Sequence, residues 1–209
     1  MVLNVITAII AYLIGSINFS VILSKKIAGF DVREKGSGNA GTTNMLRSVG
    51  KKAAALTLIC DILKGIVAIL IAMFIGWAFQ VENQSLLVQI AGIAVVIGHT
   101  FPIFFGFKGG KGVATSLGIL IMSNWQIGLI CLVFGVILIV LTRMVSLGSC
   151  AAAVLFPVLT LFITENYIVT QGSGYLIYSI ILAVIVLFNH RSNIKRILAG
   201  KENKISFKK

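Results

Sequence analysis

The chain has 209 residues, of which 58% are hydrophobic and 11% charged, and a formal net charge of +12. With a mean hydropathy of +1.03, a soluble globular domain is excluded and a polytopic membrane protein is indicated. At about 20 apolar residues per span, the length allows about seven transmembrane helices and no extramembrane domain, so residues 1–209 read as one all-α integral-membrane domain.

The first span is expected over residues 3–23. Its basic residues, Lys25 and Lys26, follow the apolar run instead of preceding it, the reverse of a cleaved signal peptide, so the segment reads as a retained span. The polar stretch 24–52 comes next, then span two over 53–75. A short loop with Glu82 and no base leads to span three over 86–105. Span four, over 113–122, is short, as expected where non-helical backbone lines a cavity. Ser123-Asn124-Trp125 reads as a turn, with Trp125 an interfacial anchor. Spans five, six and seven are expected over 127–141, 147–163 and 174–188, separated by loops at 142–146 and 164–173. The tail from Asn189 is polar and basic. Cys60, Cys131 and Cys150 all lie in apolar runs and read as small packing residues, not a disulfide set or a metal cluster.

All 18 Lys and Arg residues fall in or beside four regions: 24–64, 107–111, Arg143 and 191–209. Seven spans put these four on one side. The loops around Glu82, Trp125 and Glu165 carry no base and share the other. Basic loops stay in the cytoplasm, which predicts the N-terminus outside and the C-terminus inside. Orientation and anionic headgroups then account for the positive charge without nucleic acid.

Three polar clusters interrupt the apolar pattern. The first is Gly36-Ser37-Gly38-Asn39-Ala40-Gly41-Thr42-Thr43-Asn44-Met45-Leu46-Arg47. Its glycines permit a tight path, its hydroxyls and amides come in close succession, and Arg47 carries a planar fork suited to phosphate oxygens. A helix starting near Ala40, capped by Asn39, would put Thr43 and Arg47 on one face. The second is Gly98-His99-Thr100-Phe101-Pro102-Ile103-Phe104-Phe105-Gly106-Phe107-Lys108-Gly109-Gly110-Lys111-Gly112-Val113-Ala114-Thr115. Glycine lets a ligand approach the peptide backbone, lysine adds point charge, and the helix start behind it adds partial positive charge. Together these make a phosphate cradle. A flexible loop with an orientation signal would explain the lysines but not the glycines around them. The third is Asn189-His190-Arg191-Ser192-Asn193-Ile194-Lys195-Arg196-Ile197-Leu198-Ala199-Gly200-Lys201-Glu202. On a continuing helix Asn189 and Asn193 share a face with His190 beside them. His190 reads as a proton carrier or a phosphate donor, whereas Lys195, Arg196, Lys201 and Lys204 read as snorkelling bases.

Asp61 and Lys64 stand three residues apart inside span two. Charges within a span cost several kcal/mol unless paired, so a structural ion pair is expected, with support of the site behind it as the sharper reading. His99 is expected to hydrogen-bond the loop. Arg143 and Ser146 occupy the third basic loop. Many neutral donors and a few cations with hardly any carboxylate suit anions, more than one phosphate among them. An apolar bundle beside them suits an acyl chain.

These residues resemble the bacterial acyl-phosphate:glycerol-3-phosphate acyltransferase family (PlsY). The three clusters carry the likeness, with Asp61, Lys64-Gly65 and Val145-Ser146-Leu147, and it spans essentially the whole chain. The resemblance implies seven transmembrane helices in the bacterial inner membrane and an active site on the cytoplasmic face. It implies transfer of a fatty acyl group from acyl phosphate to the 1-hydroxyl of sn-glycerol 3-phosphate, giving lysophosphatidic acid and phosphate, the opening step of phospholipid synthesis. By the same likeness Ser37, Arg47, Lys108, Ser146, His190 and Asn193 form the catalytic and glycerol 3-phosphate site. Gly38, Asn39, Thr43, Asn44, Gly109, Gly110 and Lys111 bind substrate. The amides of Gly109 and Gly110 are expected to stabilise the oxyanion. Soluble-domain acyltransferases place Asp four residues after a catalytic His, and neither His99 nor His190 has that Asp. No cofactor, metal or nucleic acid is expected, membrane lipid is the surrounding partner, and a monomer carries a full site. The rival readings are a transporter for a phosphorylated solute, which would need polar groups along a path across the bilayer, and a lipid-binding scaffold, which would leave the glycine motifs idle.

Overall fold

A computed structural model of the chain describes residues 1–163 and 174–206. Every regular element among them is helical: α1 (Val2–Gly15), α2 (Phe19–Ala28), α3 (Thr42–Ser48), α4 (Lys51–Ala78), α5 (Gln84–Thr100), α6 (Val113–Ser123), α7 (Trp125–Thr142), α8 (Val145–Thr160), α9 (Gly174–Asn189) and α10 (Arg191–Leu198), with single 3-10 turns at Val32–Glu34 and Ile103–Phe105. Asparagines start three of these helices. The side-chain oxygens of Asn18, Asn83 and Asn124 accept from the backbone N–H of Val21, Leu86 and Ile127 at 3.3, 2.9 and 3.0 Å, satisfying donors that a helix start leaves orphaned. Asn124 is thus a cap, and Trp125 opens α7 instead of closing a turn.

Among the described residues, four stretches are long and apolar enough to cross a membrane: Val2–Ala28, Lys51–Ala78, Gln84–Phe105 and Trp125–Thr142. The α9–α10 pair makes a fifth if its 65° bend is counted within one span. The remaining apolar helices, α6 with 11 residues and α8 with 16, are short of a full span. In α8, which contains Pro157, the helix stops at Thr160, ahead of the expected end at Ile163. The expected loop 164–173, with Glu165, lies outside the described residues. Large apolar side chains stay exposed along α4 and α7, among them Phe74, Trp77, Val140 and Leu141. That surface suits hydrocarbon, not water.

The first span is not one continuous helix. The chain breaks between Gly15 and Phe19, where Asn18 caps α2 and the carbonyls of Gly15 and Ile17 accept from Lys64 Nζ at 3.0 and 2.9 Å. A broken helix leaves carbonyls without amide partners, and a buried ammonium supplies the missing donors.

The described chain forms two compact units, Met1–Met122 and Ser123–Lys209. In the first, α5 packs on α1 and α4. A Cβ at Gly15 would collide with the carbonyl of Val95, and one at Gly98 with the carbonyl of Tyr12, so α1 and α5 touch backbone to backbone. Beneath the first polar cluster Val21, Val32, Ala40, Met45, Ala53 and Ala54 form a buried core with Leu46, Val49 and Phe105 against it. In the second unit α7 and α8 approach at Gly135 and Gly148. Phe156 meets Tyr175 and Tyr178 edge-on at 6.1 and 6.5 Å between α8 and α9.

Candidate active site

In the first unit the polar cluster 36–47 is wound around one side chain. Asn44 is 1% exposed. Its Nδ2 donates to the carbonyls of Val32, Lys35 and Asn39 at 2.8, 3.0 and 3.0 Å, and its Oδ1 accepts from the Ser37 N–H at 2.9 Å. Gly36 has φ 59°, and a Cβ there would strike Asn44 Oδ1. Asn44, expected among the substrate-binding residues, has its amide engaged in shaping the loop. The expected helix cap is corrected, because α3 starts at Thr42 with Gly41 at the cap and no side-chain capping bond. Thr43 and Arg47 do stand one turn apart on α3. Ser37, Gly38 and Arg47 are exposed, while Asn39 and Thr43 are half-buried.

The glycine loop 106–112 is held by a residue for which the sequence suggested no role. Arg33 donates to the carbonyls of Phe105 and Lys108 at 2.6 and 3.1 Å. It also makes a fork on Asp31, Nε to Oδ1 at 3.0 Å and Nη2 to Oδ2 at 2.8 Å. The Arg33 hydrogen bonds, helped by the charges of Arg33 and Lys25, outweigh burial and hold the Asp31 carboxyl below its ordinary range. Between the two carbonyls that Arg33 grips, Gly106 and Phe107 have φ 64° and 58°. A bulky residue in that region costs roughly 1–3 kcal/mol and persists only where its surroundings fix it. The Phe107 N–H bonding to the Pro102 carbonyl at 2.9 Å adds to that hold. The Lys108 side chain projects exposed from the gripped turn.

Gly109 and Gly110 turn their N–H groups away from the loop's outer surface. They donate to the carbonyls of Thr100 and His99, each at 3.0 Å. Both amides, expected to stabilise an oxyanion, are bonded in this structure to the end of α5. Gly110 also lies against the first cluster: a Cβ there would be 2.7 Å from the Ala40 carbonyl. The cluster carrying Ser37 and Arg47 and the loop carrying Lys108 and Lys111 are therefore in contact within this unit.

In the second unit the tail folds back on α8. The Lys201 N–H bonds to the Arg196 carbonyl and the Ile205 N–H to the Arg143 carbonyl, both at 2.8 Å. Glu202 then enters a polar cluster with its side chain 3% exposed. Its Oε1 accepts from Ser146 Oγ at 3.0 Å and from Asn193 Nδ2 at 2.8 Å, and its Oε2 from Arg196 Nε at 2.8 Å. Burial pushes the carboxyl pKa up, but the bonds from Asn193, Arg196 and Ser146 prevail and hold it below its ordinary range. The structure thus joins Ser146 and Asn193 through one carboxylate, and Arg196 is its partner, not a snorkelling base. Ser146 is 56 residues away from Glu202, so no local spacing could announce the contact.

The expected continuous helix through Asn189 and Asn193 is corrected as well. α9 and α10 meet at 65°, with His190 at the break. The buried His190 Nδ1 lies 2.8 Å from the Val186 carbonyl. A carbonyl only accepts, so Nδ1 carries a hydrogen, and a neutral ring would hold its lone pair on Nε2.

Apolar helices, an exposed arginine on α3, an exposed lysine on a strained glycine loop and, in the second unit, a hydroxyl–amide–carboxylate cluster mark an integral-membrane helical protein with cationic and hydrogen-bonding side chains in its polar segments. The profile of the family described as "Glycerol-3-phosphate acyltransferase" matches residues 5–200. A glycerol-3-phosphate acyltransferase of Thermoanaerobacter pseudethanolicus is 48% identical over 98% of this chain and 96% of its own length. One from Clostridioides difficile is 43% identical over 98% and 97%. The crystal structure of PlsY (YgiH), an integral membrane glycerol 3-phosphate acyltransferase, in its glycerol 3-phosphate form aligns with a TM-score of 0.84 at 33% identity, covering 97% of this chain and 96% of that one. Its lysophosphatidic acid form aligns at 0.82. The chain belongs to the glycerol-3-phosphate acyltransferase family.

Proposed function

We propose that this protein is an acyl-phosphate-dependent glycerol-3-phosphate acyltransferase, acting at the cytoplasmic face of a bacterial membrane through seven transmembrane helices. The carbonyl carbon of acyl phosphate loses its bond to the phosphate oxygen and gains one to the 1-hydroxyl oxygen of sn-glycerol 3-phosphate. Lysophosphatidic acid and inorganic phosphate leave. The observation that carries the reading is the contact between the loop of Lys108 and the cluster of Ser37 and Arg47, in a family whose solved members are described in a glycerol 3-phosphate form and a lysophosphatidic acid form.

Acyl phosphate is an activated mixed anhydride, so positioning and charge suffice for much of the rate. With the Gly109 and Gly110 amides engaged on α5, charge on the phosphates falls to the side chains of Arg47, Lys108 and Lys111. Gly38, Asn39, Thr43 and the Gly109-Gly110 backbone shape the donor site. Ser146 gives its hydrogen to Glu202, which leaves its oxygen as an acceptor for a hydroxyl of glycerol 3-phosphate. Asn193 stands on the same carboxylate. His190, with its lone pair on Nε2, takes the hydroxyl proton as the new ester bond forms. One chain carries all these groups and works as a monomer without a cofactor.

Purified protein given palmitoyl phosphate is expected to release phosphate only when glycerol 3-phosphate is present, with lysophosphatidic acid formed in equal amount. Palmitoyl-CoA in place of palmitoyl phosphate is expected to give no product. Uptake of labelled glycerol 3-phosphate into sealed vesicles without acylation would overturn this reading in favour of a transporter.

A further inference from the structure

The described part of the second unit contains Arg143, Arg191 and Arg196. Arg196 is paired with Glu202. Arg191 donates to the Phe188 carbonyl at 3.1 Å and lies 4.6 Å from the centre of that residue's ring. The Arg143 guanidinium is exposed and has no hydrogen bond or ion pair among the described residues. Its backbone, by contrast, is held on every side. The Arg143 N–H donates to the Ile139 carbonyl at 2.7 Å, and the Arg143 carbonyl accepts from the Ile205 N–H at 2.8 Å. Beside it Thr142 Oγ1 donates to the Leu138 carbonyl at 2.6 Å and accepts from the Met144 N–H at 3.2 Å. Arg143 ends α7 in the left-handed region, with φ 62° and ψ 12°, where glycine is the residue without strain. A basic residue needed only for orientation in the membrane would serve one position earlier or later, at ordinary backbone angles. An arginine kept in a strained position, with its side chain engaged by nothing in the chain, points to a use outside the chain.

We propose that Arg143 is a further substrate-binding residue, gripping the phosphate of the glycerol 3-phosphate whose hydroxyl meets Ser146. Ser146 lies three residues further on, in the first turn of α8. Its hydroxyl gives its hydrogen to Glu202, and the Glu202 charge is matched by Arg196. Ser146, Asn193 and the Glu202–Arg196 pair therefore offer hydrogen bonds but no surplus positive charge. A phosphate dianion calls for a cation, and the planar fork of an arginine binds two phosphate oxygens at once. The start of α8, where Met144 makes no side-chain capping bond, adds partial positive charge beside it. A three-carbon substrate carries its phosphate only a few bonds from its hydroxyl. One short segment of tail sets the two contacts in register, Glu202 on Ser146 and Ile205 on Arg143. The role depends on Ser146 facing glycerol 3-phosphate, as proposed above.

Arg143→Gly tests this, because it removes the side chain while suiting the backbone. The purified variant is expected to melt no lower than wild type. It is expected to raise the KM for glycerol 3-phosphate about tenfold or more, with the KM for palmitoyl phosphate within about twofold of wild type. A side chain serving only structure or orientation would leave the first KM where it is. Arg143→Asn also tolerates the left-handed region; it is expected to give the same split and stands in if Arg143→Gly does not fold. Ser146→Ala, measured in parallel, is expected to raise the KM for glycerol 3-phosphate as well. If Ser146→Ala leaves that KM unchanged, the placing of glycerol 3-phosphate at Ser146 fails, and the role of Arg143 fails with it. If Ser146→Ala is impaired while the Arg143 variants keep that KM within about twofold, or raise the KM for palmitoyl phosphate instead, the placing stands and the role of Arg143 is overturned.

Discussion

Arg33 holds two carbonyls of a strained turn and a carboxylate at once, and only a planar guanidinium meets all three. Arg33→Ala is expected to lower kcat/KM for acyl transfer by about ten- to a hundredfold, with Arg33→Lys failing to restore it, since about 1.4 kcal/mol corresponds to each factor of ten. Steady-state kinetics on folded protein check this, and full rescue by lysine would show that charge alone suffices. Glu202 supports a second prediction. Its folded pKa is held below the ordinary range, so its contribution to stability is present at neutral pH and is lost as pH falls through the folded value. Wild-type melting temperature is therefore expected to drop on acidification below about pH 4.3, the ordinary carboxylate value. Glu202→Gln is expected to melt lower at pH 7 and to lose that part of the acid dependence. An unchanged profile would separate Glu202 from the stability of its cluster. Neither residue is legible as a partner in the sequence: Arg33 is one base within the region 24–64, and Glu202 closes the third cluster without a role. Their contacts cross 75 and 56 positions of chain, distances over which periodicity carries no signal.

At the scale of elements, the helices were legible because each long apolar run must satisfy its backbone internally in lipid. α4, α5 and α7 lie where hydropathy puts them, extended by one to three residues at most ends. The misses are breaks. Gly15–Phe19 looks apolar enough to continue, but Lys64 and Asn18 satisfy its interruption from the side. The 65° turn falls at Asn189-His190, poor helix formers that lie between two helical runs and carry no glycine or proline to mark a break. Local pattern registers composition, whereas a break depends on a remote donor. The close approach of α1 and α5 gives a prediction of its own. Gly98→Ala forces a methyl into the Tyr12 carbonyl and is expected to destabilise the protein by about 1–3 kcal/mol, as overpacking does. Thermal unfolding in detergent reads this. A melting temperature equal to wild type would mean that the two helices separate without penalty.

For the whole molecule, the uneven placement of 18 basic residues is the strongest signal in the sequence. It predicts that the clusters of Ser37, Lys108 and Asn193 open to the same aqueous compartment, the cytoplasm, as a reaction that uses both sets requires. The seven-span count was readable only as an expectation, because α6 and α8 are short and their role in crossing depends on packing that hydropathy does not encode. The most direct measurement is labelling by a membrane-impermeant maleimide. Cysteine would replace Ser37, Lys108 or Lys195, the last being exposed two residues beyond buried Asn193, with Cys60, Cys131 and Cys150 changed to Ala. All three positions are expected to label in inside-out vesicles and to stay protected in right-side-out ones. Labelling of any one from the opposite side would contradict a single cytoplasmic reaction centre.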